Sequence, residues 1–216
     1  EKGLIHRDLK PGNVMLGAFG EVYVMDWGLS YAISRADGRR GILGTPVYMA
    51  PEQATGRLHE IDARTDVYAL GVILYEILTL RRPFEGREVK PPLRLIATAT
   101  PPAPVEVAGG RAVPQVLAAV ALRSLAKDRA MRHSTARAFH DDVQEWLEAE
   151  TEKRRRGALA ISRLDDALEK LERYRTLRSA LRAADEDAAR VRASFRGPEP
   201  LEAKTAVVAA EDRVRA

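Results

Sequence analysis

Short apolar runs lie near the start of the chain, and apolar residues take up helical spacing further along. Two runs rich in β-branched residues, VMLG at 14–17 and VYVMDWG at 22–28, flank AFGE and predict a two-stranded hairpin. Residues 31–60 carry glycine and proline at irregular intervals, which is typical of loops. The start of the chain therefore predicts a hairpin among loops.

One segment is apolar on nearly every face. Residues 66–80 read DVYALGVILYEILTL, which predicts a central, buried helix. Residues 83–114 are rich in proline, so loops are expected there, with one short helix at residues 93–99.

Two further helices are predicted before residue 151. PQVLAAVALRSLAKD at 114–128 begins with proline, and STARAFHDDVQEWLEAE at 134–150 begins with a Ser/Thr cap. The apolar positions with helical spacing are Val116, Val120 and Leu122 in the first helix, and Phe139, Val143, Trp146 and Leu147 in the second.

The character of the chain changes at Thr151. A charge run, EKRRRG, is followed by apolar positions in a heptad-like seam with one stammer near Tyr174. GPEP at 197–200 is expected to end this helix, and residues 201–216 predict the start of another helix that continues past Ala216. The seam consists of Ile161, Leu164, Leu168, Leu171, Tyr174, Leu177, Leu181, Ala184, Ala188, Val191 and Phe195.

The positive charge of the chain is concentrated in this tail. The 216 residues carry a formal net charge of +4, whereas residues 1–150 are neutral and residues 151–196 hold 13 Lys/Arg against 8 Asp/Glu. KRRR at 153–156 is a short basic cluster, which can mark a nucleic-acid or membrane surface. Because acidic residues are interleaved further along the helix, a solvated helix start is favoured and no nucleic-acid partner is expected.

The sequence contains no cysteine, which excludes disulfides, thiolate zinc sites and a cysteine nucleophile. The most apolar run, residues 67–80, is shorter than a membrane span and contains Glu76, so no membrane segment is expected. The chain starts at Glu1 without a signal-peptide pattern. These features predict a cytoplasmic fragment of a longer protein.

One motif near the start carries specific chemistry. Residues 6–13 read HRDLKPGN and resemble the catalytic loop of protein kinases. The resemblance implies that Asp8 orients a substrate hydroxyl and accepts its proton, and that Asn13 supplies an oxygen to Mg²⁺. Lys10 would place a positive charge beside the transferred phosphoryl group. A lone HRD triplet could occur by chance, but the full run argues against chance.

A second motif follows at the expected distance. Asp26, Trp27 and Gly28 resemble the metal-binding D-F-G of kinases, with Trp27 in place of Phe. The resemblance implies that Asp26 binds Mg²⁺ and that Trp27 fills the apolar slot of the usual Phe. The alternative is an ordinary turn after a strand, and the spacing from Asn13 argues against it.

The third motif, GTPVYMAPEQ at 44–53, resembles the end of a kinase activation segment and includes A-P-E at 50–52. Lys10 together with Thr45 is the pairing of serine/threonine kinases. By this resemblance, Thr45 hydrogen-bonds Asp8 and lines the substrate groove.

Later segments extend the resemblance. Asp66 would accept backbone N–H groups of the catalytic loop, and His6 would pack against Trp27. Glu52 would form a partly buried pair with Arg132. Residues 1–148 thus resemble the C-terminal lobe of a bacterial, eukaryotic-like serine/threonine protein kinase. The implied fold is mainly α, a helical lobe with a small β-hairpin beside the catalytic loop. A charged, coiled-coil-like helix at 149–196 and the start of a further helix at 197–216 follow it.

Two kinase motifs are absent from the sequence. No G-x-G-x-x-G-x-V loop and no V-A-I-K lysine occur before the catalytic loop, so the N-terminal lobe is expected to be missing. The resemblance implies transfer of the ATP γ-phosphate to Ser or Thr hydroxyls of protein substrates, with Mg²⁺. This chain alone is expected to be inactive. The alternative is a pseudokinase-like scaffold that acts through its helical tail.

Further expectations concern regulation and packing. Arg7 before the base is typical of kinases activated by phosphorylation, with Ser30, Tyr31 and Ser34 as candidate acceptors. No Ser or Thr lies between Ser34 and Thr45, where the segment is basic, so Arg39 and Arg40 could simply be solvated. The apolar seam needs a partner surface, and intramolecular or homotypic helix packing through 157–196 is expected. Packing or surface roles are expected for His59, His133, His140 and Trp146.

Overall fold

A computed structural model describes residues 4–32, 43–84, 93–194, 205, 208–210 and 212–213. It divides the chain into two compact units, residues 1–150 and residues 151–216. The predictions for Ser34, for Arg39 and Arg40, and for GPEP at 197–200 lie outside the described residues. The domain boundaries at 148 and 196 stay predictions.

In the part of the chain that the structure describes, four short strands form two separate antiparallel pairs. Strand β2 (Val14–Leu16) pairs with β3 (Val22–Val24), with Val14 opposite Val24. This is the predicted hairpin. Strand β1 (Leu4–Ile5) pairs with β4 (Tyr31–Ala32), and the sequence did not reveal this pair because two-residue strands are too short to show a period.

The described residues are mostly helical, as the sequence predicted. Helices α1 and α4 lie in segments that were expected to be loops, and each begins at a proline that suits the first helical position. The helices are α1 (Pro51–Ala54), α2 (Ala63–Thr79), α3 (Leu93–Thr98), α4 (Pro104–Val107), α5 (Gln115–Ser124) and α6 (Ala136–Ser194). Short 3₁₀ turns cover Pro11–Asn13, Trp27–Leu29, Pro46–Tyr48, Leu58–Glu60 and Arg129–Met131.

Helix α2 is the central helix of the first unit. Asp62 caps it by accepting a hydrogen bond from the Arg64 backbone N–H at 2.8 Å. Its buried side chains pack against α5 in one apolar cluster. The cluster contains Ala50, Tyr68, Val72, Leu74, Tyr75, Val120, Ala121 and Leu125. Helix α2 therefore contributes both to the apolar core and to the anchoring of the catalytic loop at residues 6–13.

The α5 face differs from the prediction at one position. Val116 was expected on the apolar face, yet its side chain is 54% exposed. In the first turn of α5, Leu117 faces the core instead, and the predicted Val120 lies on the same buried face with Ala121.

Gly71 permits the close approach of α2 and α5. A Cβ atom at this position would lie 2.5 Å from Cβ of Ser124 and 3.3 Å from the Ala121 carbonyl oxygen. We expect Gly71→Ala to destabilise the first unit by about 1–3 kcal/mol, because the two helices would have to separate. Urea unfolding followed by tryptophan fluorescence measures this loss.

Gly157 provides the matched control for that substitution. It also lies in a helix, α6, but no atom lies within 4 Å of its ideal Cβ position. Gly157→Ala is expected to be neutral or slightly stabilising. Equal destabilisation by both variants would contradict a tight contact at Gly71.

The second unit contains residues 151–194 of α6 and the described residues of a further helical segment at 205–213. The charge run after Thr151 does not interrupt α6. The large apolar side chains of the seam between Ile161 and Leu181 are 43–63% exposed, whereas Ala210 is buried. Among the described residues, no helix is long and apolar enough to cross a membrane.

Candidate active site

The catalytic loop is anchored to the core helix by one carboxylate. Asp66, in the first turn of α2, accepts hydrogen bonds from the backbone N–H groups of His6 at 2.8 Å and Arg7 at 3.0 Å. Arg7 has φ = +69°, a left-handed conformation that is unfavourable for a side chain with a Cβ. These bonds hold the strained backbone and so fix the direction in which Asp8 projects.

Asp8 is held by two donors from two directions. Thr45 donates its backbone N–H to Oδ1 at 2.7 Å, and Lys10 Nζ donates to Oδ2 at 2.7 Å. Burial alone would raise the pKa of Asp8, but the hydrogen bonds from Lys10 and Thr45 outweigh it and lower this pKa below 3.8. Asp8 is therefore ionised at neutral pH and can accept a proton.

Thr45 also contacts Lys10, since Lys10 Nζ lies 2.9 Å from Thr45 Oγ1. The activation segment reaches this position because Gly44 has φ = +121°. A Cβ on Gly44 would lie 2.9 Å from the Arg7 carbonyl oxygen, so only glycine fits. The structure thus brings together three predicted residues, Asp8, Lys10 and Thr45.

Asn13 and Asp26 lie on adjacent segments of the backbone. The Met25 backbone N–H donates to the Asn13 carbonyl at 2.9 Å, which places Asp26 beside Asn13. The Asn13 side-chain Nδ2 donates to the Asp8 carbonyl at 2.9 Å, so its amide oxygen points elsewhere. Asp26 has φ = +59°, and Gly28 leaves room for its carboxylate, which lies 3.3 Å from the ideal Gly28 Cβ position.

The Asn13 amide oxygen and the Asp26 carboxylate are chemically suited to bind Mg²⁺. Mg²⁺ takes hard oxygen ligands, commonly one or two from the protein, with phosphate and water completing the shell. Among the described residues, no cluster of three or more His, Cys, Asp or Glu side chains could hold a metal ion by itself. An amide oxygen and a carboxylate are protein ligands of this hard-oxygen kind.

His6 links the catalytic loop to the segment at Asp26. Its Nε2–H donates to the Met25 carbonyl at 2.9 Å, and its Nδ1 accepts the Asp8 N–H at 3.3 Å. The His6 and Trp27 rings meet edge to face, with centroids 4.8 Å apart. Trp27 is 47% exposed, so in this structure it does not fill a buried apolar slot as the resemblance implied. Its Nε1–H instead donates to the Val24 carbonyl at 2.9 Å.

A buried ion pair supports the site from behind. Both nitrogens of the Arg132 fork donate to the two Glu52 oxygens at 2.9 Å, and both side chains are at most 1% exposed. Thr65 Oγ1 donates to Glu52 Oε1 at 2.9 Å. Burial would raise the pKa of Glu52, but the bonds from Arg132 and Thr65 prevail and lower it. The pair joins the A-P-E segment to the end of the first unit.

Comparison with known proteins identifies the family. The protein kinase domain family matches residues 1–143. The chain belongs to the protein kinase family. Serine/threonine-protein kinase PknD of Chlamydia pneumoniae is 37% identical over 167 residues, which are 68% of this chain and 17% of that protein. The probable serine/threonine-protein kinase PknB of Bifidobacterium longum is 36% identical over 151 residues, or 67% of this chain and 21% of that protein.

A third relative extends the range of source organisms. Serine/threonine-protein kinase PknD of Protochlamydia amoebophila is 34% identical over 170 residues, or 70% of this chain and 17% of its own length. The kinase chain thus spans about a fifth of the length of these relatives. The prediction of a bacterial, eukaryotic-like serine/threonine kinase is confirmed by the family match and these names.

Three residues of the kinase site were not predicted. Gln53 donates from Nε2 to the Arg7 carbonyl at 2.8 Å and accepts the Ala50 N–H at 3.2 Å. Its position directly after A-P-E is the signal that could have found it. Thr65, next to Asp66, donates to Glu52. Tyr48 Oη lies 2.7 Å from a Glu76 carboxylate oxygen, a contact across 28 residues that no local pattern reveals.

The Arg7 side chain is buried and donates from Nε to the Leu29 carbonyl at 2.6 Å. Leu29 immediately precedes Ser30, one of the predicted phosphate acceptors. Control of this kinase by phosphorylation of the activation segment stays a prediction.

Proposed function

We propose that the natural protein containing this chain transfers the ATP γ-phosphate to Ser or Thr hydroxyls of protein substrates. The observation that carries the proposal is the arrangement at Asp8, which Thr45 and Lys10 hold in an ionised state beside the catalytic loop. Asp8 would orient the substrate hydroxyl and accept its proton. Lys10 would stabilise negative charge on the transferred phosphoryl group. This role is electrostatic and involves no covalent bond between the protein and the phosphate.

Asn13 and Asp26 would hold the metal. The metal that these residues would hold is Mg²⁺, which would supply positive charge to neutralise the negative charge of the phosphates. In this chain, Asn13 presents its amide oxygen because its Nδ2 is engaged by Asp8. Gly28 leaves space for the Asp26 carboxylate. The pair would thus act on the nucleotide, while Asp8 acts on the acceptor.

The test is a phosphorylation assay on the natural protein with ATP, Mg²⁺ and a generic protein substrate. Phosphoamino-acid analysis of the product should find phosphoserine or phosphothreonine, and a chelator should stop the reaction. No transfer, or transfer to tyrosine alone, would overturn the proposal. A scaffold that acts through its tail would then be the better account.

This 216-residue chain by itself is expected to transfer phosphate very poorly. Its sequence supplies the base and two metal ligands but neither a glycine-rich loop nor a V-A-I-K lysine. Phosphoryl transfer depends on positioning and charge neutralisation, so a nucleotide held from one side should react slowly. The same assay on the purified chain checks this. Robust transfer that Asp8→Asn abolishes would show the expectation to be wrong.

The helical tail is proposed to pack against another helix, within the protein or in a second copy. Support comes from the exposed seam in α6. A helix with leucines at heptad spacing on one face is stable only when a partner helix covers that face. A cytoplasmic location also stays a prediction.

Sedimentation of the whole chain tests the homotypic form of this packing. We expect a concentration-dependent dimer that Leu168→Asp/Leu171→Asp abolishes. The control, Asp166→Lys/Arg173→Glu, changes charge off the seam and should leave the dimer intact. A chain that stays monomeric at all concentrations would rule out the homotypic form.

A further inference from the structure

Two cavities lie side by side at the C-terminal end of α2. Each has a volume of about 320 Å³, and they share Arg81 and Val107 in their walls. Arg82 lines the first cavity and Arg111 lines the second. We call these two cavities and their three arginines the arginine cleft. It is separate from the catalytic loop and has no part in the proposed chemistry.

Arg81 and Arg111 carry the charge that a ligand of the cleft would meet. None of the described residues that line either cavity is acidic. Arg81 and Arg111 are exposed, and neither side chain has an ion-pair or hydrogen-bond partner among the described residues. A guanidinium group presents a planar fork of donors that matches carboxylate and phosphate oxygens. A concave surface lined by such groups attracts anions and holds them by paired hydrogen bonds.

The backbone around the cleft is fixed before any ligand arrives. Leu80 has φ = +56°, which ends α2 and turns the chain so that Arg81 lies in the cleft wall. Thr79 Oγ1 lies 2.8 Å from the Arg81 carbonyl and accepts the Arg81 N–H at 3.1 Å. Tyr75 Oη donates to the Pro102 carbonyl at 3.1 Å, which ties α2 to the proline-rich segment on the other side. A preorganised site loses less entropy on binding.

We propose that the arginine cleft binds an acidic segment of a protein substrate, at a position distinct from the phosphorylated hydroxyl. Two cavities in a row suit an extended peptide better than one compact anion, since each cavity alone is at the small end of ligand pockets. Carboxylates or phosphates of the peptide would pair with Arg81 and Arg111, and its aliphatic parts would contact Val107, Pro83 and Pro102. The identity of the ligand as a substrate rests on the proposed kinase function, but its binding does not.

Fluorescence anisotropy on the 216-residue chain tests this without any phosphoryl transfer, so its failure is distinguishable from failure of the kinase proposal. The probes are a labelled oligoglutamate peptide, its glutamine analogue and a phosphothreonine peptide. The glutamate peptide should bind, more weakly at high salt, and the glutamine analogue should not. Comparison with the phosphothreonine peptide shows which anion the cleft prefers.

Charge reversal locates the site. Arg81→Glu/Arg111→Glu should weaken binding of the acidic probes by roughly tenfold or more. The control, Arg94→Glu, makes the same change on an exposed arginine of α3 outside the cleft and should have little effect. Arg81 also follows a helix C-terminus, where a cation can stabilise the helix. If charge reversal unfolds the chain, Arg81→Gln/Arg111→Gln replaces it. Equal binding by variant and parent, or no preference for acidic over neutral peptide, would overturn the proposal.

Discussion

Asp8→Asn is expected to lower the rate of phosphoryl transfer by the natural protein by roughly 10²–10⁴-fold, the usual effect of losing a general base. Asparagine has nearly the same shape, so it can still accept the Thr45 N–H that Asp8 accepts at 2.7 Å. It cannot take a proton from the acceptor hydroxyl, and it loses the ion pair with Lys10. Steady-state assays should therefore show a fall in kcat with little change in the KM for ATP.

A control variant and a pH profile provide further tests of this prediction. Asp141→Asn makes the same change on an exposed aspartate of α6 and should leave kcat unchanged. Because the pKa of Asp8 lies below its ordinary value of 3.8, Asp8 should stay ionised through the range in which enzymes are usually assayed. The parent protein should then show no loss of rate between about pH 5 and pH 8 through this group. Near-normal activity of Asp8→Asn would remove Asp8 from the role of base.

The site was largely predictable because its chemistry lies in short motifs with fixed spacing. Asp8, Lys10 and Asn13 fall within one loop of six residues, so their backbone positions cannot lie far apart. The apolar run from residue 66 onwards predicted the central helix, whereas the role of Asp66 came from the resemblance to kinases. Contacts at long range, such as Arg132 with Glu52 across 80 residues, came only from resemblance.

The features that the sequence could not predict depend on how segments that are distant in sequence approach one another in the fold. Nothing local marks Gly71 as the point where α2 meets Ser124, since glycine within a helix has several possible causes. The exposed Trp27 shows the same limit, because a pattern names the residue type and not the depth at which it lies. Arg81 and Arg111 of the arginine cleft are 30 residues apart in sequence and share a wall only after α2 and α4 have packed.

Removing Arg132 should be the most damaging single change to the stability of the first unit. We expect Arg132→Ala to lower the free energy of unfolding by roughly 3–5 kcal/mol, because it leaves Glu52 as an unpaired charge inside the protein. The guanidinium also donates to the carbonyls of Ala126 at 2.8 Å and Arg64 at 3.1 Å, and those acceptors would lose their partner as well. Urea unfolding at neutral pH, followed by tryptophan fluorescence, measures the loss.

Arg137→Ala is the matched control. Its pair with Asp141 has a similar distance, 3.1 Å, but the two side chains are 82% and 56% exposed. Water screens such a pair, so the expected change is at most about 0.5 kcal/mol. Comparable losses from the two substitutions would mean that burial of the Glu52–Arg132 pair has no special cost.

Acidity should reproduce part of the Arg132 effect in the parent protein. The pKa of Glu52 is lower in the folded chain than its ordinary value of 4.5, so the folded state binds this proton less readily than the unfolded state. The resulting stabilisation is complete above 4.5 and is lost as the pH falls through the folded pKa. Glu52→Gln should remove this part of the acid dependence while destabilising the protein at neutral pH.

The double variant Glu52→Gln/Arg132→Met should lose less stability than the sum of the losses of its two single variants, because neither partner is then left as an unpaired buried charge. Additive losses would indicate that the two side chains act independently and that the pair does not join the A-P-E segment to the lobe.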